Sequence, residues 1–217
     1  MLQLRRDDFP EVTFPVNCNL LQVLWCPRLH DIQYSTGFDY AGPWVRLVWR
    51  DGGEEAAGTF AGPSRAGAEV EDTYLPRPCS ISPERVIEYS DMEALPPALI
   101  DELEKLFPKE GAEYQYGLSV ARGWKVGGWP SWHSTDLQEL RCEECSARVR
   151  LLLKFDSAEW DGGSDRWRPL VSGDDGAESE APDEWEEPTG VLLGHWGEMR
   201  VFVCETDVFH APVLNIQ

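Results

Sequence analysis

The sequence predicts a β-rich α+β fold with mixed or antiparallel sheets and few helices, and three observations carry that prediction. Short apolar runs rich in Val, Leu and Trp recur along the chain, and Gly/Pro/Asp-bearing turns separate them. One segment alone has the 3.6-residue apolar period of an amphipathic helix. At 217 residues the chain is long for one domain and short for two, and residues 1–217 read as a single domain.

Taken in order, "NLLQVLWC" (Asn19 to Cys26) and "WVRLVWRD" (Trp44 to Asp51) read as strands, with the turn "STGFDYAGP" before the second. "DGGEEAAGTFAGPSRAGAE" is a small-residue loop, and "RVIEY" (Arg85 to Tyr89) reads as a further strand. In "PPALIDELEKLF", Leu99, Ile100, Leu103, Leu106 and Phe107 make one stripe of a helix that should face the core. Pro97 suits its first turn and Pro108 stops it. "YQYGLSV" (Tyr114 to Val120), "ARVRLLLKFD" (Ala147 to Asp156) and "MRVFVC" (Met199 to Cys204) complete the strands.

Residues 172–188 read as an acidic loop inserted between the last two strands. From Asp174 to Glu187 it holds eight acids and no base, a composition that favours solvation over packing. Trp185 either pins this loop to the body or joins a contact surface. "LLQVLWCPRLHDIQ" and "RVFVCETDVFHAPVLNIQ" also echo one another as apolar strand, Cys, His and Ile-Gln. The echo suggests an internal pseudo-duplication.

Charge excludes whole classes of partner. Nineteen basic against thirty-nine acidic residues give a net charge of −20, so phosphate backbones and anionic lipid are repelled while a basic protein is attracted. Nucleic acid and membrane are therefore not expected partners, although plain solubility accounts for such a charge too. No apolar stretch approaches the roughly 20 residues of a membrane span, and "MLQLRRDDFP" lacks an export signal's apolar centre. The expected setting is the cytoplasm. There the six cysteines are buried thiols or metal ligands rather than a disulfide framework.

Cys142 and Cys145 are spaced C-x2-C, which lets two thiolates from one turn reach one tetrahedral ion. Alone, the pair is half a site, or simply two thiols at a turn. Cys204 and His210, either side of "ETDVF", would complete a Cys142, Cys145, Cys204, His210 set. Cys26 and His30 are the alternative second pair, with His133 and His195 in reserve. Zinc is the natural ion for mixed sulfur and imidazole ligands. Glu143 and Glu144 between the cysteines oppose a reactive thiolate but favour a bound cation.

No Ser elbow, Walker loop, dinucleotide fingerprint or H-E-x-x-H occurs, and no catalytic residue is assigned. Glu159 and Asp161, flanked by Trp160 and Trp167, offer two carboxylates close together, but Asp-Gly-Gly is ordinary turn chemistry. In "GWKVGGWPSW", Gly127 and Gly128 permit a tight turn, and Trp124, Trp129 and Trp132 would cover an apolar surface. A ligand pocket near Gly127–Trp132 is the sharper alternative.

At "GWKVGGWPSW", the cysteine pair, "LLLKFDSAEWDGG" and "RVFVCETDVFHAP", the chain resembles the YwqG-like family of bacterial proteins, nearest to an actinobacterial set. "LLQVLWCP" extends the likeness over most of the chain, from about Leu20 onward. The Gly-Gly-x-Pro turn falls on Gly127, Gly128, Trp129 and Pro130, while the glutamine such proteins carry after it gives way to Ser131, Trp132 and His133. The resemblance implies a β-rich α+β fold, no catalytic residues to carry over, and an immunity-like role against a toxin.

The functional expectation is thus a cytoplasmic binding protein that works through protein contacts and neutralises a basic toxin. Its docking surface would be Asp174, Asp175, Glu178, Glu180, Asp183, Glu184, Trp185, Glu186 and Glu187. The alternatives are a small-molecule binder or enzyme at Gly127–Trp132, and a zinc-stabilised structural module.

Overall fold

The computed structural model describes residues 2–53, 70–106, 112–132, 136–172 and 178–217. Strands β1 (Leu2–Arg5), β2 (Leu20–Gln33) and β3 (Asp39–Arg50) form one antiparallel sheet in that order. Strands β4 (Lys125–Val126), β5 (Val149–Asp156), β8 (Glu198–Cys204) and β9 (Val213–Ile216) form a second, also antiparallel. Between β5 and β8 lies a short hairpin of β6 (Leu170–Ser172) and β7 (Glu178–Glu180). Helices α1 (Pro97–Leu106) and α2 (Ala112–Gly117) complete a β-rich α+β fold.

The core is the seam between the two larger sheets. Side chains two apart on a strand share a face, so Leu21, Val23 and Trp25 of β2 lie opposite Trp49, Leu47 and Val45 of β3. Facing them from the second sheet are Leu153 and Phe155 of β5, Met199 and Val201 of β8, and Leu214 of β9, all at most 1% exposed. Trp25 and Trp124 both meet the Phe155 ring edge-on, with centroids 5.3 and 4.7 Å away. Burying one such side chain contributes about 1.5–3 kcal/mol. Polar stitches cross the seam too: the Leu214 amide donates to the Tyr34 hydroxyl at 2.8 Å.

The second sheet's other face is charged and buried. Lys125 lies opposite Lys154, Lys154 opposite Arg200, Asp156 opposite Glu198, and Arg200 opposite Asn215. Lys154, Asp156, Glu198 and Arg200 have fully buried side chains. Lys154 Nζ sits 3.2 Å from Asp156 and 3.0 Å from Glu198, and donates to the Ala121 carbonyl at 2.9 Å. Arg200 donates to the Ser131 carbonyl and to Asn215 Oδ1, with its guanidinium 4.4 Å from the Trp132 ring. Burial lowers the Arg200 pKa to about 10 although Glu198 and Asp91 oppose the shift. The stretch 118–132 is the cover of this layer.

Several sequence expectations change. Arg85–Tyr89 has no regular structure, because its buried carboxylate Glu88 and not its apolar side chains is drawn inward. Tyr114–Gly117 is helical, ending α2, where a strand is expected; the Leu118 and Ser119 amides close its last turn on the Tyr114 carbonyl. The α1 stripe does not face the core: α1 has no buried residue, and Leu99 and Leu106 are exposed. Of the three tryptophans around the Gly127–Gly128 turn, Trp132 joins the apolar core while also lying against the Arg200 guanidinium, Trp124 packs on that core, and Trp129 is half exposed. The acidic segment is not wholly a loop, since β7 and a 3-10 turn over Asp183–Trp185 order part of it. The Cys/His echo is one of sequence and not of conformation, for β2 runs on through a bulge between Cys26 and His30 while β8 stops at Cys204. The first stays paired with β3 on either side of its bulge; the second breaks at the Asp207 turn, where the Phe209 amide bonds the carboxylate. Most of the Gly-rich loop after Asp51, and His133, lie outside the described residues.

Candidate metal centre

The four residues of the larger ligand set come together at one end of the second sheet. Cys142 and Cys145 flank a tight turn just before β5, closed by the isolated pairing of Arg141 with Arg148. Inside it the Cys142 amide donates to the Ala147 carbonyl at 3.0 Å and the Ser146 amide to the Cys142 carbonyl at 2.8 Å. Ser146 takes a left-handed φ of 60° to close the loop. Cys204 ends β8 opposite Val149, so the strand register fixes its sulfur beside the turn. His210 arrives from the β8–β9 loop, whose Asp207 accepts the Phe209 amide at 2.9 Å.

The three sulfurs and one imidazole nitrogen all lie within 4.8 Å of one another. Cys145 Sγ is 3.5 Å from Cys204 Sγ and 3.6 Å from His210 Nδ1, and Cys142 Sγ is 3.4 Å from that same nitrogen. A tetrahedron with metal–sulfur bonds of about 2.3 Å and metal–nitrogen bonds of about 2.0 Å has edges of roughly 3.5–3.8 Å. Three of the cluster's six edges already have that length, and the others are no longer than 4.8 Å. Cys142 and Cys204 are buried and Cys145 is exposed, so the centre sits at the surface with two ligands rooted in the core.

The surroundings favour deprotonated sulfur at Cys204 and Cys145 but not at Cys142. Burial resists ionisation of Cys204, yet the Thr206 hydroxyl, the amides of Asp207 and Thr206, and His210 outweigh it and bring the thiol down to about 6. The Thr206 hydroxyl also lowers Cys145, while burial raises Cys142. Contact with Cys204 raises His210. The imidazole's other nitrogen is 3.8 Å from the Asp207 carboxylate, on the side where ligating histidines usually have an outer partner.

Thr206, Asp207, Glu143 and Glu144 are supporting residues that sequence spacing alone does not single out. Glu143 accepts the Ser35 amide and hydroxyl at 2.9–3.2 Å, tying the cysteine turn to the β2–β3 connection. Glu144 accepts the Ala211 amide at 2.6 Å, tying it to the β8–β9 loop. The glutamates between the cysteines are therefore braces as well as charges. A C-x-x-C with two acids inside it gives no sign of which amides they will find.

The other candidates fall elsewhere. Cys26 Sγ and His30 Nε2 are 3.3 Å apart on β2, but among the described residues they join no group of three metal-binding side chains. His195 stands apart from the cluster. Glu159 and Asp161 serve the turn after β5: Asp161 accepts the Gly163 amide and the Ser164 hydroxyl and pairs with Arg122 at 2.7 Å. Asp174 and Asp175 lie outside the described residues, and Glu178 is placed only as a backbone position in β7. Glu180, Asp183, Glu184 and Trp185 are exposed, whereas Glu186 and Glu187 are half-buried. The Glu159 amide donates to the Glu186 carbonyl at 2.7 Å, so the arm is pinned through backbone beside Trp185. No described helix is long and apolar enough to cross a membrane.

Compared with protein-family models, curated proteins and solved structures, the chain matches none of them. The site is therefore read from its own geometry.

Proposed function

We propose that this chain is a zinc-stabilised protein in which Cys142, Cys145, Cys204 and His210 hold one structural ion. The convergence of those four donors to within 4.8 Å of one another is the single observation that supports it. Four protein ligands leave no open position for substrate, which is the pattern of a structural rather than a catalytic zinc. The ion would join the start of β5, the end of β8 and the loop leading to β9. Elemental analysis of the purified protein should find about one zinc per chain, and a Cys142→Ser, Cys145→Ser variant should lose it and melt at lower temperature. A zinc-free protein whose melting temperature is unmoved by added zinc would refute the proposal.

A second reading concerns the partner. It takes the zinc-braced scaffold as a cytoplasmic, YwqG-like protein that docks a basic protein, such as a toxin, by its acidic arm. The observation in its favour is a groove of about 250 Å³ lined by Asp183, Glu184, Glu186 and Glu187 together with Arg77, four acids to one base, with Arg77 donating to the Glu187 carbonyl at 2.6 Å. Its dimensions and charge suit a lysine or arginine side chain, and such complementarity acts mainly on association rate. Replacing these four acids by their amides should slow association with a basic nuclease at least tenfold at low salt and much less at high salt. Equal rates for both proteins would remove the arm from the reading.

A further inference from the structure

We propose that the turn at Gly127–Pro130 forms a carboxylate-binding site, and that the chain keeps this site closed with its own Glu88. Three donors build it. The Ala121 amide donates to Glu88 Oε2 at 2.6 Å, the Trp129 amide to Oε1 at 2.6 Å, and Lys125 Nζ to both oxygens at 2.8 Å. Each oxygen thus receives one backbone amide and a share of one ammonium, an arrangement that fits a planar carboxylate. Gly128 has a φ of +75°, and a Cβ there would lie 1.9 Å from Glu88 Oε1. The turn is shaped around the bound group, and only glycine leaves room for it. Lys125 is also held by the Trp129 carbonyl at 2.7 Å, so its placement does not rest on Glu88 alone.

The segment that delivers Glu88 is built unlike a core element. Residues 75–91 have no regular secondary structure. Val86, Ile87 and Tyr89 are 51, 82 and 52% exposed, whereas the Glu88 side chain is 8% exposed. That inverts the usual order, in which apolar groups go in and acids stay out. What holds the strap beside the turn is the carboxylate, helped by the Tyr89 amide on the Leu118 carbonyl and by the Tyr114 and Ser119 hydroxyls on the Ser90 carbonyl. Glu88 is an internal ligand, and the chain displays in cis the chemical class that the turn accepts: a monocarboxylate. A free ligand competes with a tethered one whose effective concentration is set by the strap. Its binding releases Glu88 and uncovers Lys125.

The test uses the full chain and acetate as the probe, with chloride at equal ionic strength as reference. In a Glu88→Ala variant, acetate should shift the Ala121 and Trp129 amide resonances saturably and raise the melting temperature. The same titration should be at least tenfold weaker in Glu88→Ala, Lys125→Met. A folded Glu88→Ala protein with no saturable acetate response, or one that answers inorganic phosphate and not acetate, overturns the proposal. If Glu88→Ala does not fold unaided, refolding with and without acetate decides: recovery that depends on acetate supports the site, and recovery indifferent to it overturns it.

Discussion

Glu159 shows how one side chain reports its surroundings. Burial pushes its carboxyl from the ordinary 4.5 up to about 7; the Trp124 amide pulls the other way and Asp156 adds to the rise. The folded state therefore holds this proton more tightly than the unfolded chain does. Its contribution to stability is fully present below pH 4.5 and is lost as the pH climbs through 7. Glutamine is neutral throughout, so Glu159→Gln should gain on the wild type by about 2–3 kcal/mol between pH 4.5 and pH 8, at 1.36 kcal/mol per pKa unit. Urea denaturation at both pH values checks it, and a constant difference between the proteins would contradict the assignment.

At the scale of elements, the paired strands were legible from sequence and the cover of their charged face was not. "VRLLLKFD" and "EMRVFVC" alternate as strands should, and that alternation sends Leu153, Phe155, Met199 and Val201 to the core. The same alternation puts Lys154, Asp156, Glu198 and Arg200 on the opposite face, where period alone implies water. Water is displaced there by residues 118–132, a long-range contact that no local pattern encodes. The misjudged helix has the converse cause: α1 has a proper stripe, but nothing in a periodicity states whether another element comes to meet it. For the candidate ligands, spacing offered Cys204 and His210 beside Cys26 and His30 as partners of the cysteine pair, and strand register decided which converge. Because the buried charges compensate one another, removing one should be severe. Lys154→Met leaves Asp156 and Glu198 without their shared cation and should cost about 3–5 kcal/mol, measured as a fall in the urea midpoint at unchanged slope. A loss below about 1 kcal/mol would mean that water enters the layer.

For the whole molecule, charge and composition gave the broad class of fold and the sign of its surroundings, and they left the arrangement to packing. Two sheets share an apolar seam, one of them carries a buried ionic layer behind it, and the described part of the acidic arm is pinned to the body through Glu186 and Asp183. The hydrogen bonds from Ser35 to Glu143 connect the cysteine turn of one sheet to the hairpin bend of the other. Chelating the proposed zinc should consequently free more than the four candidate ligands. Amide exchange at Ser35, Ser146 and Ala211 should accelerate together, while amides deep in β5 and β8 keep their slow pace. The clasp between the layers would open at one end first, and the protein would come apart like a book from its unbound edge.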